Sequence, residues 1–303
     1  MYNSMYIQKS ITSVKDKIRE MYYRYLFNDK SRIKIVYYKR LGRNVNLETP
    51  ERFTDKLQWL KLNWYDPLAT KCADKYSVRE YVTDKIGDRY LNEIIDIYDS
   101  TKDIPFESLP NQFVLKGTHG SGFNIICRNK EDLNEIEAKQ EMDRWLKKNY
   151  FWQNREWVYK DIKPRIICEK YLSEGGNQNN LIDYKFFCFN GEPIYCQVIR
   201  GRGENETIDF YDIEWNHMPF NGLRDLPMSD KRFNKPGKYE EMIELAKELA
   251  GDFPFVRVDF YYVQDEIIFG ELTFFPLSGM GKFTPDEWDY KLGQLLDLPD
   301  RRN

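Results

Sequence analysis

Histidine is nearly missing from this 303-residue chain, which carries only His119 and His217. Two scattered imidazoles give no histidine-based metal cluster and no recognisable Ser/His/Asp triad. Cysteine is also sparse. Cys72, Cys127, Cys168, Cys188 and Cys196 are odd in number, form no CxxC pair, and several lie in apolar strand-like runs. That pattern predicts buried free thiols in a reducing compartment, and argues against a disulfide framework or a zinc site. No apolar run reaches the roughly 18 to 20 residues that span a bilayer, and the opening MYNSMYIQKS has neither the apolar region nor the cleavage site of a secretory leader. The expectation is a soluble, cytoplasmic protein whose catalysis rests on carboxylates, lysines and arginines.

Aromatic residues are plentiful: 22 Tyr, 19 Phe and 7 Trp. A mean hydropathy of −0.72 would otherwise suggest a solvated chain. Side chains that dominate burial are what disordered chains lack, so a folded protein is expected, long enough for one large domain or several subdomains. The formal net charge of −3 hides an asymmetry. Residues 1–45 hold eleven Lys/Arg against Asp16, Glu20 and Asp29, a net of +8, which leaves −11 for the remainder. Met21, Tyr22, Tyr23, Tyr25, Leu26 and Phe27 interleave with these cations. The stretch reads either as a solvated helix packed on the body through its aromatics, or as an interfacial helix resting on anionic lipid near a lipid-linked substrate. An acidic body with its cations confined to one end disfavours nucleic acid as a partner.

Periodicity divides the rest of the chain. A helical pattern opens after Thr49-Pro50 and repeats at Phe53, Leu57, Leu60 and Trp64; a second helical block covers 66–85 and closes near Gly87. Strands follow at 112–116 and 124–127 on either side of GTHGSG, then a helix over about 131–148 and a strand within 164–172. Asp183–Phe189 and Glu192–Arg200 flank Asn190-Gly191, a strong hairpin signal. A helix is predicted over 239–250. The hairpin FVRVDFYYVQDEIIFGELT then places Asp259 opposite Glu271 if its loop centres on Asp265. Thr284-Pro-Asp-Glu287 reads as a capping box opening a last helix to about Leu296. Four regions result: a basic helical arm over 1–45, a helical subdomain over 46–110, a lid subdomain over 111–172 and a catalytic subdomain over 173–303.

Three constellations carry chemistry, each with a plainer reading beside it. Lys116 at a strand end beside GTHGSG suits a phosphate cradle, or an ordinary glycine-rich hairpin turn with a surface lysine. Lys185, Arg200 and Arg202 flank the 183–200 hairpin, with Asp183 on the face of Lys185; cross-strand salt bridging explains that pair equally well. Arg257, Asp259 and Glu271 converge on one sheet face. Two carboxylates that close repel unless a cation lies between them, and two oxygen ligands plus phosphate oxygens are what Mg²⁺ commonly takes.

In order, the segments KLQWLKLNWYDPLATKCADKYSVREYV, LPNQFVLKGTHGSGFNIIC, REWVYKDIKPRIICEKYL, FPFVRVDFYYV and FGELTFFPLSGMGKFTPDEWDYKLG resemble the TupA-like ATP-grasp family over residues 45–296. The resemblance implies an α+β fold whose two lobes clasp ATP, Mg²⁺ as metal, and a place in bacterial surface polysaccharide or teichuronopeptide synthesis. By this resemblance Lys75 and Lys116 contact ATP phosphates, and Gly120, Ser121 and Gly122 form a loop over them. Glu169, Lys170, Tyr171 and Leu172 form the hinge against the adenosine. Asp259 and Glu271 hold Mg²⁺, Arg257 stabilises the transferred phosphoryl group, and Lys185 and Arg200 add phosphate or substrate contacts. The sequence departs from the pattern in two places: Glu271-Leu272-Thr273 replaces the usual Glu-x-Asn, and Phe275-Pro276-Leu277-Ser278-Gly279 lacks the first glycine of T-x-P-G-S-G. The implied activity is ATP-dependent amide formation between a carboxylate-bearing sugar or amino acid and an amine. Glycosyl transfer from a sugar nucleotide and a non-catalytic nucleotide-binding scaffold stand as alternatives.

Overall fold

The computed structural model describes residues 27–173, 181–201 and 205–300. The first described helix, α1 (Asp29–Leu41), starts where the Asn28 side chain accepts the Ser31 N–H at 2.8 Å, and stops at Gly42, whose φ of 73° suits glycine. It buries Ile33, Tyr37 and Leu41 on the body and leaves Lys30, Lys34, Lys39 and Arg40 outward. This part of the basic arm therefore packs through its apolar stripe. Met21 to Leu26, and the rest of the arm before Phe27, lie outside the described residues.

Helix α2 (Phe53–Asn63) follows, beginning later than the Thr49 signal suggested, with Arg52 at its N-cap. The expected helical block over 66–85 is two helices, α3 (Pro67–Ala73) and α4 (Val78–Ile86). The break is chemical. The Asp74 carboxylate accepts the Tyr76 N–H at 3.0 Å and the Ser77 hydroxyl at 2.8 Å, a local turn that competes with helical bonding, and Arg165 anchors it at 3.0 Å. Lys75 sits in the gap.

Two antiparallel sheets organise what remains, so the fold is α+β as expected. The smaller has the order β1-β4-β2-β3, from β1 (Ile94–Tyr98), β2 (Phe113–Gly117), β3 (Asn124–Cys127) and β4 (Ile166–Lys170). Its core of Phe113, Leu115, Ile166 and Cys168 is covered by Ala138, Met142 and Trp145 of α5 (Glu135–Leu146). Strand β1 comes from within 46–110, the stretch expected as a helical subdomain, so this sheet reaches back before residue 111. The larger sheet has the order β10-β9-β5-β6-β7. Its strands are β5 (Asp183–Phe189), β6 (Glu192–Arg200), β7 (Thr207–Asp212), β9 (Phe255–Val263) and β10 (Glu266–Thr273). The β5–β6 turn is the predicted one, with φ of 49° at Asn190 and 85° at Gly191. The single turn α6 (Phe151–Asn154) follows α5 and precedes β4 in sequence. Helix α7 (Tyr239–Ala250) backs the larger sheet, Tyr239 lying 5.6 Å from the Phe186 ring.

A short ribbon pairs β8 (Asn221–Leu223) with β11 (Lys282–Thr284), and α8 (Glu287–Leu295) closes the described chain. The capping-box expectation is corrected here. Thr284 ends a strand, Asp286 is the N-cap without a side-chain cap bond, and its carboxylate instead pairs with Arg52 at 2.7 Å. All five cysteines are buried and free, as the composition predicted.

Candidate functional site

One face of the larger sheet concentrates the charge. Strand pairing sets Gln197 beside Lys185, Lys185 beside Asp259, and Asp259 beside Glu271, so four strands present a row of polar side chains on one face. Lys185 Nζ lies 3.0 Å from Asp183 Oδ1 and 2.5 Å from Asp259 Oδ2. Arg257 forks onto Asp259, with Nε and Nη2 each donating at 2.7 Å, and Nη2 also donates to Thr273 Oγ1 at 3.2 Å. Thr273, which stands where Asn was expected, donates its hydroxyl to Glu271 Oε1 at 3.4 Å.

The predicted Asp259–Glu271 pairing is present, and a β-bulge produces it. Phe269 faces Phe260, the register shifts by one at Gly270, and Glu271 then faces Asp259. Without the shift Glu271 would point to the opposite face. Glycine suits the bulge, since a Cβ on Gly270 would press 3.0 Å from the Asp259 carbonyl oxygen and 3.3 Å from the Tyr261 ring. Burial pushes the Glu271 carboxyl up, but Lys75, Lys185, Arg257 and Lys116 outweigh it and bring it down to about 2.

The smaller sheet faces this row. Lys75, in the break between α3 and α4, donates its backbone N–H to the Thr118 carbonyl at 3.2 Å and its ammonium to the Gly120 carbonyl at 2.7 Å. The same ammonium lies 3.6 Å from Glu271 Oε2, so one side chain touches both sheets. Lys116 pairs with Glu169 at 2.7 Å. Ser121 and Gly122, the latter with φ of 77°, line the cleft. Gly120 has another reason to be glycine: a Cβ there would come within 2.8 Å of both the Phe123 and Tyr150 rings.

Between the sheets runs a cleft of about 460 Å³. Lys75, Lys116, Lys185 and Arg257 line it together with Asp183, Asp259 and Glu271. A flatter recess of about 160 Å³ adjoins it, with Val114, Ile126 and Leu172 as apolar walls and Glu169, Lys170 and Tyr171 along its edge. Asn92 joins this edge by donating to the Lys170 carbonyl at 2.9 Å, and Arg128 Nε donates to the Tyr171 hydroxyl at 3.3 Å.

Of the residues predicted from sequence, Glu169, Lys170, Tyr171 and Leu172 line the recess rather than the cleft, Gly120 reaches the cleft through its carbonyl bond to Lys75, and Arg200 is turned away from both. Arg200 lies on the face of the larger sheet opposite Lys185, its guanidinium 3.9 Å above the Phe233 ring. The cause is strand alternation: position 200 has the parity of Tyr184 and Val198, not of Lys185 and Gln197. Arg202 lies outside the described residues. Sequence reasoning also missed Gln197, Arg40, Asn154, Glu156 and Ser278, all of which line the cleft. Lys61, behind it, left a trace in the sequence: it stands four residues after Leu57, inside the apolar stripe of α2.

The donor set suits a hard cation held jointly with a substrate. Among the described residues no group of three or more His, Cys, Asp or Glu is arranged to hold a metal by itself. The two carboxylates of Asp259 and Glu271 match Mg²⁺, which commonly takes one or two carboxylates plus phosphate oxygens. Lys75 and Lys116, facing them, match phosphate charge.

A search of curated proteins finds no significant match. Among solved structures the chain is similar to D-alanine–D-alanine ligase from Bacillus anthracis, in one structure at 15% identity and TM-score 0.43, covering 74% of this chain and 65% of that one. An ATP complex of the same enzyme matches at 14% identity and TM-score 0.39, covering 69% and 55%. The Helicobacter pylori D-alanine–D-alanine ligase matches at 13% identity and TM-score 0.43, covering 82% and 70%. The chain thus spans little more than half to about two thirds of the Bacillus anthracis enzyme. A family model described as TupA-like ATPgrasp matches residues 55–297, and with four fifths of its length inside that match the chain belongs to the TupA-like ATP-grasp family.

Proposed function

We propose that the protein is an ATP-dependent ligase that joins a carboxylate to an amine during bacterial surface polysaccharide synthesis. The observation that carries this reading is the opposition across one cleft of Lys75 and Lys116, from the smaller-sheet side, to Asp259, Glu271, Lys185 and Arg257 on the larger sheet. Such a site offers charge on both sides of a transferring phosphoryl group, and phosphoryl transfer asks for positioning and charge far more than for covalent chemistry. ATP supplies the phosphoryl group that converts the substrate carboxylate into an acylphosphate, from which the amine displaces phosphate to leave the amide. Mg²⁺ on Asp259 and Glu271 would neutralise phosphate charge.

The chain's own residues do the rest. Lys75 and Lys116 meet the phosphates, giving up their present carboxylate partners. Glu169, Lys170, Tyr171 and Leu172 border the recess of a size for a purine ring. Arg257 faces the reacting centre as a planar fork with Lys185 beside it. Carboxylate-bearing sugar or amino acid units are the proposed acceptors.

The test is ADP and phosphate release from Mg-ATP with cell-envelope fractions, and mass spectrometry of the surface polysaccharide with and without the gene. The ligase reading expects release that needs both a carboxylate and an amine, a missing amide-linked substituent without the gene, and a loss of at least ~100-fold in Asp259→Asn and Glu271→Gln. Consumption of a sugar nucleotide without ATP would replace it with glycosyl transfer; ATP binding without any turnover would leave a scaffold.

A further inference from the structure

The loop after β10 carries strain that a plain turn would avoid. Leu277 and Ser278 have φ of 47° and 58°, followed by Gly279 at 63°. Two consecutive non-glycine residues in the left-handed region are unfavourable, and such outliers persist only where their surroundings over-determine them.

Here the surroundings are a polar clamp. The Ser278 carbonyl accepts from Lys61 Nζ at 2.7 Å and Gln58 Nε2 at 3.0 Å, and the Gly279 carbonyl accepts from Gln58 Nε2 at 2.8 Å. The Ser278 hydroxyl donates to Glu156 Oε1 at 2.5 Å and accepts from Asn154 Nδ2 at 2.8 Å. Lys61 spends its remaining donors on Gln58 Oε1 and the Asn154 carbonyl, each at 3.0 Å. Lys61, Gln58 and Glu156 are all buried. Burial lowers the Lys61 ammonium and raises the Glu156 carboxyl, so both charges are held at a cost that packed apolar side chains would not incur. Stability alone is therefore a weak account of the clamp.

What the clamp fixes is Leu277. Leu277 is 41% exposed and lines the cleft, and it has no part in the lining of the adjoining purine-sized recess. We propose that Leu277 is the specificity-determining wall of the acceptor half of the cleft, and that Lys61, Gln58, Glu156 and Ser278 are positioning residues that hold it there. An apolar wall at that place limits the size of the amine that approaches the activated carboxylate. The assignment of this half to the acceptor rests on the ligase reading; the clamp itself does not.

Two measurements separate them. Hydrogen exchange of the full chain with Mg²⁺ and a non-hydrolysable ATP analogue should show peptides covering 274–281 exchanging at least ~10-fold faster in Lys61→Met and Ser278→Ala, with Phe255–Val263 unchanged. Unchanged protection of 274–281 overturns the clamp. Turnover is then measured with glucuronate as carboxylate and hydroxylamine, glycine or L-leucine as amines of rising size. Leu277→Gly should shift the preference for leucine over glycine by about tenfold in kcat/KM, with KM for ATP unmoved. An unchanged size preference, or an equal change in both KM values, overturns the wall. If the wild-type protein turns over none of these amines, the ligase reading and the acceptor-wall assignment that rests on it both fail for these probes, while the exchange experiment still decides the clamp.

Discussion

Charge balance at single residues sets the chemistry of the cleft. Glu271 has its carboxyl lowered from 4.5 to about 2, because four nearby cations outweigh its burial. A carboxyl lowered on folding contributes stability that is fully present above its unfolded value of 4.5 and is lost as pH falls toward 2. Denaturant midpoints measured from pH 6 down to pH 2.5 should therefore fall more steeply for the wild type than for Glu271→Gln. Parallel curves would show that Glu271 does not carry this linkage. Arg200 gives a contrasting expectation at the same scale. As it stacks on Phe233 away from the cleft, Arg200→Ala should cost about 1 kcal/mol of stability and leave the Kd for Mg-ATP within about twofold. A tenfold weaker Kd in isothermal titration would return Arg200 to the site. Lys75, Lys116, Asp259 and Glu271 were legible because they stand inside linked motifs. Arg200 ends the same hairpin as Lys185, and strand parity alone sets it on the other face. Glu156 left no signal, since its buried contact with Ser278, 122 residues away in sequence, has no local pattern.

At the level of elements, irregularities place the functional groups. Helices 239–250 and strands 183–189 and 192–200 were readable from periodicity and from Asn190-Gly191, and they form scaffold. The break at Asp74 and the bulge at Gly270 were not readable as such. In both places a short-range contact overrides the regular pattern, by a carboxylate capturing neighbouring donors in one case and by a missing Cβ in the other. The bulge gives a direct test. Gly270→Val puts side-chain atoms against the Asp259 carbonyl, so the strand should relax to regular pairing and turn Glu271 to the other face. The variant should keep its circular dichroism yet lose Mg²⁺-dependent turnover as fully as Glu271→Gln. Combining the two substitutions should add little beyond either alone, because both remove the same carboxylate from the cleft. Additive losses would mean that the bulge acts by some other route.

Across the whole molecule, two sheets meet at a site that neither completes. Lys75 is held by the Gly120 carbonyl of the smaller-sheet loop and reaches Glu271 of the larger sheet. A ligand whose phosphates lie between the opposing charges would replace that bridge with many contacts, and would bind the folded chain only. Linkage then fixes the size of the effect: at about 100 times Kd, Mg-ATP should add ~2.7 kcal/mol to the stability of the folded state. For a chain of this length that is a rise of roughly 4 °C in Tm. The pattern across variants is more telling than the rise itself. Lys116→Met changes the smaller sheet and Asp259→Asn the larger, more than 140 residues later, yet each should remove most of the Mg-ATP shift. EDTA should do the same to the wild type, because on the proposed reading the larger sheet would meet the phosphates through a metal held by its carboxylates. A shift that survives Asp259→Asn and EDTA but not Lys116→Met would place nucleotide binding on the smaller sheet alone, and the opposition across the cleft would then have no part in it.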